Sequence, residues 1–199
     1  MNFLGISKSY TNKKWVGPSE HDLQQASLYS KRLCIPQLSA YQLIKNNIQE
    51  EDYFDYVSPK IKNLIPNPKI FLDMEKGALR LLRAIEQKEK IAIFADYDVD
   101  GTVSAALISL WLSNFSIEPT VYIPDRESEG FGPNSEAMNK LSLKNSLIIC
   151  VDCGTDTEAA IREATKSGTD VIVIDHHKSE TFSKSAYAVI NPNRFDEKN

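Results

Sequence analysis

Asp96, Asp98 and Asp100 stand at alternate positions in the stretch IAIFADYDVDGTVSAALISLW, residues 91–111. In an extended segment alternate side chains project to one side, so this spacing gathers three carboxylates. They repel one another unless a cation lies between them, and a bound divalent metal is the simplest relief. Asp125-Arg126, Asp152 and Asp175-His176-His177 add further hard oxygen donors, imidazoles and a guanidinium. Carboxylate combined with imidazole favours Mn2+, or Mg2+ as a poorer match to nitrogen, over Ca2+. Cys150-x-x-Cys153 offers two sulfurs, too few for an all-thiolate zinc site.

These groups need elements to carry them. The apolar run over 91–95 reads as a buried strand. Gly101 lets the backbone turn, and from Thr102 the period changes. Val103, Ala106, Leu107, Leu110 and Trp111 then mark the core-facing side of a helix. Strands follow over 120–123, 146–151 and 171–174, with helices over 135–143 and 156–166 and a short last strand over 186–190. Such alternation predicts an α/β fold, a mainly parallel sheet with helices on both faces. Four strands each end in reactive side chains, and in a parallel sheet those ends share one edge. One site built from four loops is the expectation.

Ahead of the sheet the spacing predicts helices over 19–33, with Ser19 as N-cap, over 39–47, and a short one over 50–56. Three prolines between residues 58 and 68 predict a loop or broken helices. A stronger helix spans 73–87, capped by Asp73, with Met74, Ala78, Leu81, Leu82 and Ile85 on one face. The chain therefore divides into a small helical or irregular N-terminal region, 1–69, and an α/β domain, 70–199.

With 199 residues, 42% hydrophobic and 25% charged, the composition is that of an ordinary soluble globular protein. A net charge of −4 excludes a global basic field but leaves room for a local basic groove. No apolar run approaches membrane-spanning length, and residues 1–10 lack the features of a signal peptide. Three cysteines, an odd number, argue against a disulfide framework and for a reducing cytoplasm.

Three resemblances compete for the acidic stretch. Asp-x-Asp-x-Asp-Gly also opens an EF-hand loop, but the required twelfth-position glutamate is Leu107 here. Asp98-Val99-Asp100-Gly101-Thr102 resembles the nucleophile loop of haloacid-dehalogenase-type phosphatases, in which Asp98 itself would be phosphorylated. The third resemblance covers more of the chain. Asp96-Tyr97-Asp98-Val99-Asp100-Gly101, Val151-Asp152-Cys153-Gly154 and Asp175-His176-His177 resemble the successive motifs of the DHH phosphoesterase superfamily. With Pro124-Asp125-Arg126, Glu129-Gly130-Phe131-Gly132 and Asn191-Pro192-Asn193, the order resembles the RecJ branch, 5′→3′ exonucleases acting on single-stranded DNA. The match runs over roughly 55–195.

The resemblance implies a two-metal phosphodiesterase. Asp98, Asp100, Asp152 and His176 match its ligands, Asp152 being the one expected to bridge the ions. Asp96 is expected to add a ligand, since apolar Phe94 stands where relatives carry a histidine. His177 would orient or polarise the scissile phosphate, and Asp175 would hold a histidine in place. Arg126 is either a phosphate contact or a surface ion pair. Cys153 stands where the family commonly has asparagine. The family's next metal-binding aspartate lies well beyond the histidines, past Asn199. A second chain supplying that part, a catalytically inactive remnant, and an enzyme acting on short oligoribonucleotides or nucleotide phosphates are the alternatives that the resemblance leaves open.

Overall fold

The computed structural model describes residues 3–198. Residues 1, 2 and 199 of the expected irregular ends lie outside the described residues. Five short strands carry the site: β1 (Ile91–Ala95), β2 (Thr120–Tyr122), β3 (Leu147–Val151), β4 (Asp170–Ile174) and β5 (Ala188–Ile190). Their order is β2-β1-β3-β4-β5 and every neighbouring pair is parallel. The direction of winding reverses between β1 and β3, where such sheets open a crevice for ligands. Ala95 pairs with Val151, Val151 with Ile174, and Ile174 with Ile190. Asp96, Asp152, Asp175 and Asn191 therefore leave the sheet side by side.

The central strands are apolar without interruption because both of their faces are covered. On one face α7 (Ser135–Ser142) and α8 (Glu158–Lys166) press Met138, Leu141, Ile161 and Ala164 against Phe94, Ile148, Cys150 and Val173. On the other, α5 (Met74–Glu86) and α6 (Val99–Ser113) set Ala84, Ala105 and Leu112 against Ile91, Ile93, Ile149 and Ile172.

Two helix faces differ from expectation. In α6, Val103, Ala106, Leu107, Leu110 and Trp111 are exposed, whereas Gly101, Ala105 and Leu112 are buried. The helix is apolar nearly all round, so periodicity did not mark its inner side. Close approach decides it: a Cβ on Gly101 would stand 2.4 Å from the Asp96 carbonyl oxygen. In α5 the buried residues are Gly77, Arg80 and Ala84, with Met74, Leu81 and Ile85 partly buried and Leu82 exposed. Asp73 precedes α5 in a left-handed conformation and makes no side-chain cap. Its carboxylate accepts instead from the Val189 amide (3.2 Å) and the Arg194 guanidinium (2.9 Å).

Contacts divide the chain into a unit up to Pro66 and a unit from Asn67 onward. The first contains α1 (Glu20–Leu33), α2 (Gln37–Lys45), α3 (Tyr53–Val57) and α4 (Ile61–Leu64). Ser19 and Asp22 form a reciprocal capping box at the start of α1, and Ala26, Ala40 and Leu43 are buried.

At the edge of the sheet opposite the carboxylates, the Arg80 guanidinium is 3% exposed and pairs with Asp170 (2.5 Å) and Glu89 (2.7 Å). Burial alone would lower its pKa, but the two carboxylates outweigh it and hold the charge. Replacing Arg80 with Ala removes the buried counter-ion of Glu89 and leaves Asp170 only its longer contact with exposed Arg83. A loss of about 3–5 kcal/mol is expected, measured by urea denaturation, against a much smaller loss for Arg83→Ala on the exposed side of the same pair.

Candidate metal centre

The Asp96 and Asp98 positions follow from how β1 runs into α6. Asp96 leaves the strand and its carboxylate accepts from the Tyr97 amide (2.6 Å). Asp98 is the N-cap of α6, accepting from the Gly101 amide (3.0 Å), while the Thr102 hydroxyl donates to its carbonyl (2.7 Å). The helix begins at Val99, so Asp100 lies in its first turn and not in an extended segment. Asp152 follows β3 with φ at 59°, a left-handed conformation uncommon outside glycine that aspartate tolerates better than most residues. Its amide still donates to the Ile174 carbonyl (2.9 Å), which prolongs the ladder by one bond.

Two groups of donor atoms result. Asp96, Asp98 and Asp152 form one, Asp152, His176 and His177 the other, and within each the ligand atoms lie within 4.8 Å of one another. Asp152 is common to both. Its side chain is 4% exposed, with Oδ1 at 3.0 Å from His176 Nε2 and Oδ2 buried without a hydrogen-bond partner among the described residues. A buried oxygen of this kind costs free energy unless something pairs with it, and a cation held by hard oxygens and imidazole fits. Burial first, then the neighbouring Asp98 carboxylate, pushes the Asp152 pKa up to about 6. Asp98 moves the other way, chiefly because the Gly101 amide stabilises its anion.

The histidines are held from below. Asp175 is buried and accepts from the Thr155 hydroxyl (2.6 Å), the Thr155 amide (3.1 Å), the His176 amide (2.7 Å), the His177 amide (3.1 Å) and His177 Nδ1 (2.8 Å). Burial would raise its pKa, but those bonds, led by the Thr155 hydroxyl, outweigh it and hold the carboxyl below its ordinary range. The Asp175 bond in turn raises the pKa of His177. Because Nδ1 is taken, Nε2 is the nitrogen left for an ion or a phosphate.

Asn191 and Asn193 carried no assigned role in the sequence. Asn191 is fully buried and its amide donates to the Thr155 hydroxyl (2.8 Å) and the His177 carbonyl (2.9 Å). Asn193 donates to the His176 carbonyl (2.5 Å). The available signal was that the last strand also ends in polar residues. A cavity of about 250 Å³ is lined by Asp96, Asp152, Asp175 and His177 together with Phe131, Thr155 and Lys178.

Some expected residues are not brought into either donor group. Asp100 is exposed in the first turn of α6, and its backbone amide helps to stabilise Asp98. Asp125 accepts from the Glu127 amide and from the Ser128 amide and hydroxyl, so it orders its own loop. Arg126 lies with its guanidinium carbon 5.2 Å from the centre of the Tyr97 ring and has no carboxylate partner among the described residues. Cys150 and Cys153 are buried thiols; burial pushes Cys150 up to about 12 and raises Cys153 further, which keeps both protonated.

The raised Asp152 pKa carries a testable sign. The folded state holds this proton more tightly than an unfolded carboxyl near 3.8, so the group lowers stability as pH rises from about 4 to 6 and stays unfavourable above. Asp152→Asn is expected to stabilise the metal-free protein at pH 8 by about 1–3 kcal/mol, with the gain fading toward pH 4. Urea denaturation in chelator measures it. Calorimetric titration with Mn2+ should show the same variant losing metal binding.

Comparison with known proteins bears on this geometry. The sequence model of the DHH family, N-terminal domain, matches residues 90–198, more than half of the chain. The single-stranded-DNA-specific exonuclease RecJ of Bacillus subtilis (strain 168) is 38% identical over 120 residues, 60% of this chain and 15% of that protein. RecJ of Escherichia coli (strain K12) is 30% identical over 138 residues, 68% of this chain and 24% of that protein. A crystal structure of exonuclease RecJ bound to manganese superposes with a TM-score of 0.56 at 31% identity, covering 63% of this chain and 32% of the other. RecJ from Thermus thermophilus in complex with Mn2+ shares the fold over 92% of this chain and 25% of its own, with a TM-score of 0.67 at 24% identity. The chain thus spans between a seventh and a third of the length of these relatives. On the sheet order, the paired donor groups and the matched motifs together, the chain belongs to the DHH family.

Proposed function

We propose that this chain carries the metal-dependent phosphodiesterase centre of a RecJ-like 5′→3′ exonuclease acting on single-stranded DNA, with a place in DNA repair and recombination in the cytoplasm. The observation that carries the reading is the pair of donor groups sharing buried Asp152. The identity to RecJ exonucleases and the manganese in a related structure support it. What the longer relatives carry outside the matched segment would come from further sequence or from a second chain.

Asp96, Asp98, Asp152 and His176 would hold Mn2+ or Mg2+, with His177 Nε2 facing the same space. A pair of divalent ions bound there supplies Lewis acidity and draws a nucleophile from water for in-line attack at phosphorus. The chain's own residues do the rest. Asp98 stays ionised because the first turn of α6 stabilises its anion. His177, kept protonated to higher pH by Asp175, offers Nε2–H to a phosphate oxygen. Arg126, packed on Tyr97 and free of a carboxylate among the described residues, presents its planar donors to a neighbouring phosphate. No side chain has to become phosphorylated when an activated water is the nucleophile.

The test is a nuclease assay on 5′-phosphorylated single-stranded DNA with Mn2+. Turnover that Asp98→Ala lowers at least about a hundredfold is expected. Asp175→Asn, which weakens the support of His177 together with the bonds to Thr155 and the His176 amide, should lower it about ten- to a hundredfold. Preference for dinucleotides over long single strands would move the assignment to oligoribonuclease chemistry, and activity surviving in Asp98→Ala would remove the metal centre.

A further inference from the structure

Beside the donor groups lies the cavity of about 250 Å³ lined by Phe131, Gly132, Thr155, Thr157, Lys178 and His177 among others. Acidic and hydroxyl side chains line it together with Cys153 and two glycines, and Phe131, 80% exposed, belongs to the same lining. A lone exposed phenylalanine is ordinary on a protein surface, so the weight rests on where this one is and how it is held. Among the described residues lining the cavity it is the only hydrocarbon ring. Gly130 and Gly132 flank it with φ of 82° and 73°, a conformation that glycine adopts without strain. Behind them the loop is fastened. The Tyr122 hydroxyl donates to the Glu129 carboxylate, whose other oxygen accepts from the Asp125 amide (2.9 Å). Asn134 caps α7 just after it by accepting from the Ala137 amide (2.8 Å). The ring is thus held out on a tied loop and is not a residue left over from the core.

We infer that Phe131 is a stacking surface for a single nucleobase, and that the cavity beside the metal-binding residues seats the nucleoside next to the phosphate being cut. This rests on the nuclease reading above and adds to it a contact to the base. At about 250 Å³ the cavity offers room on the scale of one base and its sugar. The carboxylates of Asp96, Asp152, Asp156 and Asp175 in the same lining repel phosphate unless cations cover them, whereas Phe131 offers an uncharged base an apolar face. An aromatic face accepts any base, because every base has a π-face, and it requires a base that is unstacked from its neighbours. A duplex end would have to be opened first, so the same ring contributes to preference for single strands.

The experiment uses the 199-residue chain and single-stranded oligonucleotides carrying 2-aminopurine or an abasic residue at either terminus. Fluorescence is followed without added metal, and hydrolysis with Mn2+. The wild type should bind the terminal 2-aminopurine with altered emission. Phe131→Ala should abolish that change and weaken binding and kcat/KM about five- to a hundredfold on intact ends, while Phe131→Trp restores both. On abasic ends the wild type and Phe131→Ala should behave alike. Equal losses on intact and abasic ends, or unchanged emission in Phe131→Ala, would overturn the stacking role and leave the nuclease reading standing. A wild type that neither binds nor cuts any single strand would overturn both, and the two failures are distinguished by that wild-type result.

Discussion

Two carboxyl groups, Asp98 and Asp152, sit close enough to interact at the ends of adjacent central strands, and the unequal burial and hydrogen bonding of the two govern the centre. Asp98 lies at the start of a helix, where the free amide of Gly101 and the aligned peptide dipoles favour its anion. Asp152 is sealed among apolar strands, has one oxygen with no partner among the described residues, and is pushed toward its neutral form. Asp152 therefore keeps its proton up to about pH 6. A cation held there would displace that proton and give the unpaired oxygen a partner. The burial that costs the fold stability would then be offset by metal.

The surrounding structure serves that arrangement. Gly101 allows α6 to come close enough to Asp96 for the cap to form, and any side chain there would meet the Asp96 backbone. The aligned ends of β1, β3, β4 and β5 bring Asp96, Asp152, Asp175 and Asn191 to one level. A buried network then fixes the imidazoles: Asn191 holds Thr155, Thr155 holds Asp175, and Asp175 holds His177. Each polar group in this chain is satisfied by the next, which is the condition under which buried polar residues rigidify a site. Stability work is placed at the other edge of the sheet, where Arg80 ties α5 to Asp170 and Glu89.

Contacts to a substrate fall to a different kind of element. Arg126 and Phe131 sit on the loop that follows β2, the edge strand, outside the rigid centre of the sheet. Their loop is ordered by its own acids: Asp125 turns it and Glu129 fastens it to Tyr122. The candidate metal donors thus stand at the ends of the rigid central strands, and groups that would meet a flexible strand of nucleic acid come from a tied but exposed loop.

The strand–helix alternation, the carboxylate and imidazole strand ends and their meeting at one edge could be read from the residues alone. Apolar runs fix buried strands, and parallel pairing sends all their ends the same way. Family likeness then narrowed the chemistry. Which side of α6 faces inward could not be read, because the helix is apolar around its circumference and only the contact of Gly101 with Asp96 chooses. Nor could the sequence separate Asp98 from Asp100, since an extended run and a helix start share the same letters; the turn into α6 puts one among the ligand atoms and the other outside. The Asp73 carboxylate likewise looked like a cap, and only the folded chain brings Val189 and Arg194 across to it. Local pattern decided the elements, while orientation, pairing and burial of single side chains were decided by contacts between residues far apart in the chain.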